Sequence, residues 1–211
     1  MLQIYYADVS GLPPCADDLL FSDYRREQLK RITHAQKRRQ AIGAELLLIA
    51  AMKKKYPELV LPLRIGTEER GKPFFLEFPD TFSLSHSDKF AACVLGDQKL
   101  GIDVQADRPY HEAVARQCFT PQEREWLRSC GAQDYGFSML WSLKESCIKA
   151  SGIGLPNAML PLSMDFEQNP NIMEWKREKL WHTYREGFHF SLCIPDGIPQ
   201  GGVELIKIKL L

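Results

Sequence analysis

A chain of 211 residues has room for one large domain or two of about 100. Its 45% hydrophobic content is ordinary for a globular core. Lys plus Arg equals Asp plus Glu at 27 each, so no overall field favours a nucleic acid or a membrane surface. The balance is uneven locally. Arg25, Arg26, Lys30, Arg31, Lys37, Arg38, Arg39 and Lys53 to Lys55 face only Glu27 and Glu45, a basic stretch suited to a small polyanion.

Residues 2–7 read as a strand, broken by Gly11-Leu12-Pro13-Pro14. Helical spacing follows over 17–32, and Thr33 is the expected N-cap of a longer helix with Ile42, Leu46, Ile49 and Met52 on its buried stripe. Residues 57–80 are rich in Pro and Gly, with Arg70-Gly71-Lys72-Pro73 as a loop. Strands are expected over 82–87, 90–95 and 100–105, the last with Leu100, Ile102 and Val104 on one face. Helices are expected over 112–119, over 121–129 behind Thr120-Pro121, and over 135–151, stopped by Gly152. Strands over 188–194 and 203–210 close the chain. Asp88-Lys89-Phe90 before one apolar strand echoes Glu186-Gly187-Phe188 before another, which favours an α+β fold of two similar lobes joined near residue 100.

The six cysteines form no CxxC pair, and several lie in apolar runs, as expected of small buried hydrophobes in a reducing compartment. The first residues lack a basic stretch followed by an apolar one, so no signal peptide is expected there. The apolar run over 41–52 contains Glu45 and is too short to span a bilayer. A cytoplasmic protein is the resulting expectation.

Two segments carry chemistry. In Gly101-Ile102-Asp103-Val104-Gln105, Asp103 and Gln105 sit roughly 6.6–6.8 Å apart along one strand face, two oxygen groups for one hard cation. A wet strand face with no further role is the plain alternative. In Trp141-Ser142-Leu143-Lys144-Glu145-Ser146-Cys147-Ile148-Lys149, Glu145 and Lys149 are one turn apart with Trp141 a turn earlier. Glu145 suits a metal ligand or base and Lys149 a phosphate; the alternative is a surface ion pair worth about 0.3–0.5 kcal/mol. His86, flanked by Ser85 and Ser87, and the basic residues Arg38 and Arg39 suit phosphate oxygens; a structural histidine and a solvated positive face are the plain alternatives. Lys72, in its Gly-Lys-Pro loop, reads either as a ligand contact or as a solvated charge.

With these residues in order, the chain resembles the Sfp-type 4′-phosphopantetheinyl transferases. The matching segments are Gly71-Lys72-Pro73, Phe82 to Ser87, Gly101 to Val104, Phe119-Thr120-Pro121-Gln122-Glu123, Trp141 to Lys149 and Gly152-Ile153-Gly154-Leu155. The resemblance implies a two-lobed pseudodimer, each lobe with helices packed on a small, mainly antiparallel sheet. The lobes would be 1–99 and 100–211, with the active site at their interface. It implies Mg²⁺-dependent transfer of phosphopantetheine from coenzyme A to a serine of an apo acyl or peptidyl carrier protein, releasing 3′,5′-ADP, with Mn²⁺ as alternative cation. Asp103, Glu145 and Gln105 would hold the metal, Gln105 directly or through water. Glu145 would also deprotonate the serine, directly or through a metal-bound water. Lys149 would stabilise the transferring phosphate or protonate the leaving group. Arg39, Lys72, Ser85, His86 and Lys149 would contact coenzyme A, with Glu123, Lys144 and Arg38 as further candidates. Many relatives carry Glu where this chain has Gln105, which implies weaker or differently selective metal binding. A monomer would suffice, with no nucleic acid or membrane partner. The competing readings are a non-catalytic nucleotide-binding module and a scaffold for partner proteins; retention of Asp103, Glu145 and Lys149 favours the enzyme.

Overall fold

The computed structural model describes residues 1–15, 18–152, 172–175 and 178–210. The chain divides into two compact units, Met1–Gln98 with Pro199–Leu211, and Lys99–Ile198. The first unit contains β1 (Leu2–Asp8), a 3-10 turn (Asp18–Leu20), α1 (Asp23–Arg31), α2 (Ala35–Lys55), β2 (Ile65–Thr67), β3 (Pro73–Phe75), β4 (Thr81–Ser87) and β5 (Phe90–Gly96). The second contains β6 (Gly101–Ala106), α3 (Glu112–Cys118), α4 (Pro121–Ser129), α5 (Gln133–Ser151), β7 (Ile172–Trp175), β8 (Glu178–Arg185) and β9 (Phe188–Ile194). A last strand, β10 (Val203–Lys207), returns to the first unit.

In the first unit the sheet order is β10-β1-β5-β4. Ile42, Leu48, Ile49 and Met52 of α2 share a core with Tyr5, Ala7, Cys93 and Phe82 on one sheet face. Glu45 is fully buried on α2, and it accepts bonds from Ser22 N and Oγ (3.1 and 2.7 Å) and Arg25 Nε (3.4 Å), tying α1 to α2. Burying that charge is tolerable only because it is paired and hydrogen-bonded. Thr33 does not cap α2: the flanking residue is His34, and it makes no side-chain cap bond. Ser22 does cap α1, accepting from Arg25 N. The Pro/Gly-rich stretch contains a short β2–β3 hairpin, turned at Gly71 with φ +86°.

The C-terminal strand differs from expectation. Instead of belonging with 100–198, β10 lies parallel to β1, from Leu2↔Val203 to Tyr6↔Lys207. Ile206, Ile208 and Leu210 pack on the first core, so the strand covers both the open edge of β1 and apolar surface beside it.

The second unit has the antiparallel order β6-β9-β8-β7. β7 and β8 have no counterpart in the expected elements. α5 supplies Met139, Leu143, Cys147 and Ala150 to a core with Leu180 and Cys193. Both units repeat one order: a strand, a long helix, then a hairpin whose second strand pairs antiparallel with the first strand. The echoed dipeptides are the hairpin turns, with Asp88 at φ 44° and Glu186 at φ 55°. Among the described residues no helix is long and apolar enough to cross a membrane. Cys93, Cys147 and Cys193 are buried thiols, as expected of their apolar runs.

Candidate active site

Gly101 sets the site. A Cβ there would lie 2.1 Å from Ser146 O and 2.3 Å from Ala150 N, so only glycine lets the α5 backbone cross β6 this closely. Two residues on, Asp103 points to the same strand face and lies under the helix, 5% exposed. That face is therefore covered rather than wet. Ser191, opposite Asp103 on β9, meets Ser142 of α5 at 2.5 Å.

From 136 to 150 every residue of α5 is buried except Trp141, Glu145 and Lys149, which recur every four positions as one half-exposed stripe. Lys149 Nζ donates to Asp103 Oδ1 at 2.7 Å, joining helix and strand across 46 sequence positions. The i,i+4 surface pair with Glu145 is not what forms. Glu145 instead shares the electrostatic environment of Asp103: burial first, then the Asp103 charge, holds its carboxyl above the ordinary range, with Lys149 pulling the other way. Gln105 is half-buried, and its Nε2 donates to Ala106 O at 3.0 Å.

This donor set fits a hard cation. Asp103 and Glu145 are carboxylates near enough to feel each other, and Gln105 adds an amide oxygen. Among the described residues no three His, Cys, Asp or Glu side chains cluster to hold a metal. Two carboxylates suffice for magnesium, which keeps several waters and shares positions with phosphate, whereas softer cations want imidazole or thiolate.

Glu123 and Lys144 stand differently from the stripe. Thr120 and Glu123 form a capping box at the start of α4, and Glu123 Oε2 also meets Lys144 Nζ at 2.8 Å. The two side chains are 2% and 1% exposed, and the ammonium lies 5.3 Å from the Phe119 ring centroid. Burial pushes the Lys144 pKa down despite Glu123. The pair pins α4 onto α5 beside Glu145.

In the first unit, Arg38 spends its guanidinium on the carbonyls of Pro14, Leu29 and Ile32, so it braces the start of α2. Arg39 uses Nε on Leu12 O at 2.8 Å. Its two amino groups can still form the fork a phosphate needs. Lys72 sits in the β2–β3 turn, half-buried. Ser85 and His86 are neighbours on β4, so they point to opposite faces; Ser85 is buried and His86 exposed. Ile153, Gly154 and Leu155 lie outside the described residues.

A family model of the 4′-phosphopantetheinyl transferase superfamily matches residues 99–195, nearly the whole second unit. The chain is similar to the 4′-phosphopantetheinyl transferase Sfp of Bacillus subtilis strain 168, at 29% identity over 154 residues, covering 72% of this chain and 69% of the relative. It is 32% identical over 177 residues to another B. subtilis 4′-phosphopantetheinyl transferase, covering 82% and 70%. For the 4′-phosphopantetheinyl transferase psf-1 of Bacillus pumilus the values are 31% over 204 residues, 87% and 88%. The chain belongs to the 4′-phosphopantetheinyl transferase superfamily.

One part of this superfamily member's surface was not legible in its motifs. Beside Gln105 and Trp141 lies a cavity of about 340 Å³, walled also by Arg108, His111, Val114, Phe137 and Ser138. Arg108 and His111 belong to no periodic pattern, and the only local signal is His111 before a helix, where its ring accepts from Val114 N.

Proposed function

We propose that this superfamily member transfers the 4′-phosphopantetheine group of coenzyme A to a serine hydroxyl of an apo acyl or peptidyl carrier protein, releasing 3′,5′-ADP. The observation that carries the reading is the Lys149–Asp103 contact, which gathers Asp103, Glu145 and Lys149 beside one half-exposed helix stripe. Asp103 and Glu145, with Gln105, would hold a magnesium ion, which when bound neutralises charge on the pyrophosphate. In the transfer, the serine oxygen bonds to the phosphorus bearing the pantetheine arm. The bond from that phosphorus to the bridging oxygen breaks, and the oxygen leaves on 3′,5′-ADP. Glu145 takes the serine proton, directly or through a metal-bound water. Lys149 donates to phosphate oxygens as charge moves to the leaving group. Arg39, Lys72, Ser85 and His86 are the candidate coenzyme A contacts of the first unit. The protein is read as a cytoplasmic monomer acting on these two substrates.

The test is the intact mass of an apo acyl carrier protein after incubation with the protein, coenzyme A and Mg²⁺. The expected result is a gain of one phosphopantetheine, abolished by EDTA and by Glu145→Ala. No gain on fatty-acid, polyketide or peptide carriers would overturn the reading in favour of coenzyme A binding without transfer.

A further inference from the structure

Behind the site lies a polar network that the transfer chemistry does not use. His189 of β9 is fully buried, with Nε2 2.8 Å from Asp107 Oδ1 and Nδ1 3.0 Å from His182 Nε2. A carboxylate only accepts, so His189 carries its hydrogen on Nε2; its Nδ1 then accepts, and His182 donates. Burial pushes both rings below their ordinary range, His182 to about 3, so both are neutral near pH 7 and the donor order is single. The second Asp107 oxygen accepts from the Tyr184 hydroxyl of β8. Tyr135 of α5 packs edge-on to both Tyr184 and His189, with centroids 4.9 and 4.6 Å away. Directly after Asp107, Arg108 N donates to Ser138 Oγ and Tyr110 N to Asp134 Oδ1, each at 2.8 Å. Residues 107–110 are thus fastened to two strands and to α5 just as they leave the strand that bears Asp103 and Gln105.

We propose that Asp107 and His189 are positioning residues that hold the exit of β6, so that the cavity wall of Gln105, Arg108 and His111 is set before a substrate arrives. Fastening the segment in advance removes an ordering cost that binding would otherwise carry. Two buried rings chained to a partly exposed carboxylate do this more selectively than apolar packing, because each ring accepts only one orientation.

The test compares Asp107→Ala, the milder Tyr184→Phe, His189→Leu, and His189→Gln, whose amide can donate to Asp107 and accept from His182. The first readout is backbone amide exchange, which does not depend on any activity. Asp107→Ala and His189→Leu should speed exchange at Arg108 and Tyr110 by about tenfold or more while β9 amides keep their protection, with Tyr184→Phe intermediate and His189→Gln near wild type. The second readout rests on the transferase reading. The same two variants should raise KM for coenzyme A or for the carrier by about tenfold, with kcat within about twofold of wild type, and His189→Gln should restore it. Unchanged exchange at both amides in Asp107→Ala and Tyr184→Phe overturns the proposal. So does a uniform rise across the second unit, which would mean a role in stability alone. If the wild-type protein modifies no carrier, the transferase reading fails while the exchange pattern still decides the clamp.

Discussion

At the scale of single residues, surroundings decide what each polar group can do. Gln105 is an amide on the strand that bears Asp103, whose charge already raises the Glu145 pKa. Gln105→Glu would add a third negative charge, so it should tighten Mg²⁺ and Mn²⁺ binding and change their ratio; metal titrations of both proteins would check this, and superimposable curves would sink it. His182 shows the opposite electrostatics. Its ring is pushed from 6.5 to about 3, mainly by burial and then by His189, so the unfolded chain takes up the proton first as pH falls. The stability this group contributes is present above pH 6.5 and is lost as pH falls toward its folded value, by up to about 1.4 kcal/mol per pH unit. Urea unfolding at about pH 7 and about pH 5 should show this loss in the wild type and a shallower one in His182→Gln.

At the scale of elements, α5 and β6 act as one part because Gly101 lets their backbones touch. In Gly101→Ala the new methyl meets backbone atoms, which cannot swing aside as a flexible side chain would. We expect a loss of about 3 kcal/mol or more in urea unfolding and, because the helix must move off Asp103, transfer activity well below that of the wild type even when fully folded. Much of α5 was legible beforehand. The Trp141, Glu145, Lys149 spacing places the three on one face, and Gly152 ends the helix in the left-handed conformation, φ 69°. Thr120-Pro121 likewise announced α4. The sequence had no means of indicating that Lys149 would bond to Asp103 rather than to its helical neighbour, or that Lys144 would be buried against Glu123. Both partners come from distant elements, and helix periodicity speaks only of neighbours on the same helix.

At the scale of the molecule, the closing strand belongs with the opening one. Removing residues 199–211 should expose the edge of β1 and strip Ile206, Ile208 and Leu210 from the first core. Amides of 2–6 should then lose exchange protection while those of β9 retain theirs, and a fully protected β1 would count against the assignment. The alternation of apolar residues, the turn dipeptides and the glycines were enough to determine most helices and strands and the α+β class, because those signals act over a few positions; the candidate metal and phosphate residues came from the ordered motifs of the family resemblance. They did not reveal β7 and β8, the return of β10 to β1, the closed face over Asp103 or the clamp at Asp107. Each of these depends on which distant groups the folded chain brings within hydrogen-bonding reach, and that pairing is an outcome of tertiary packing rather than of any local pattern.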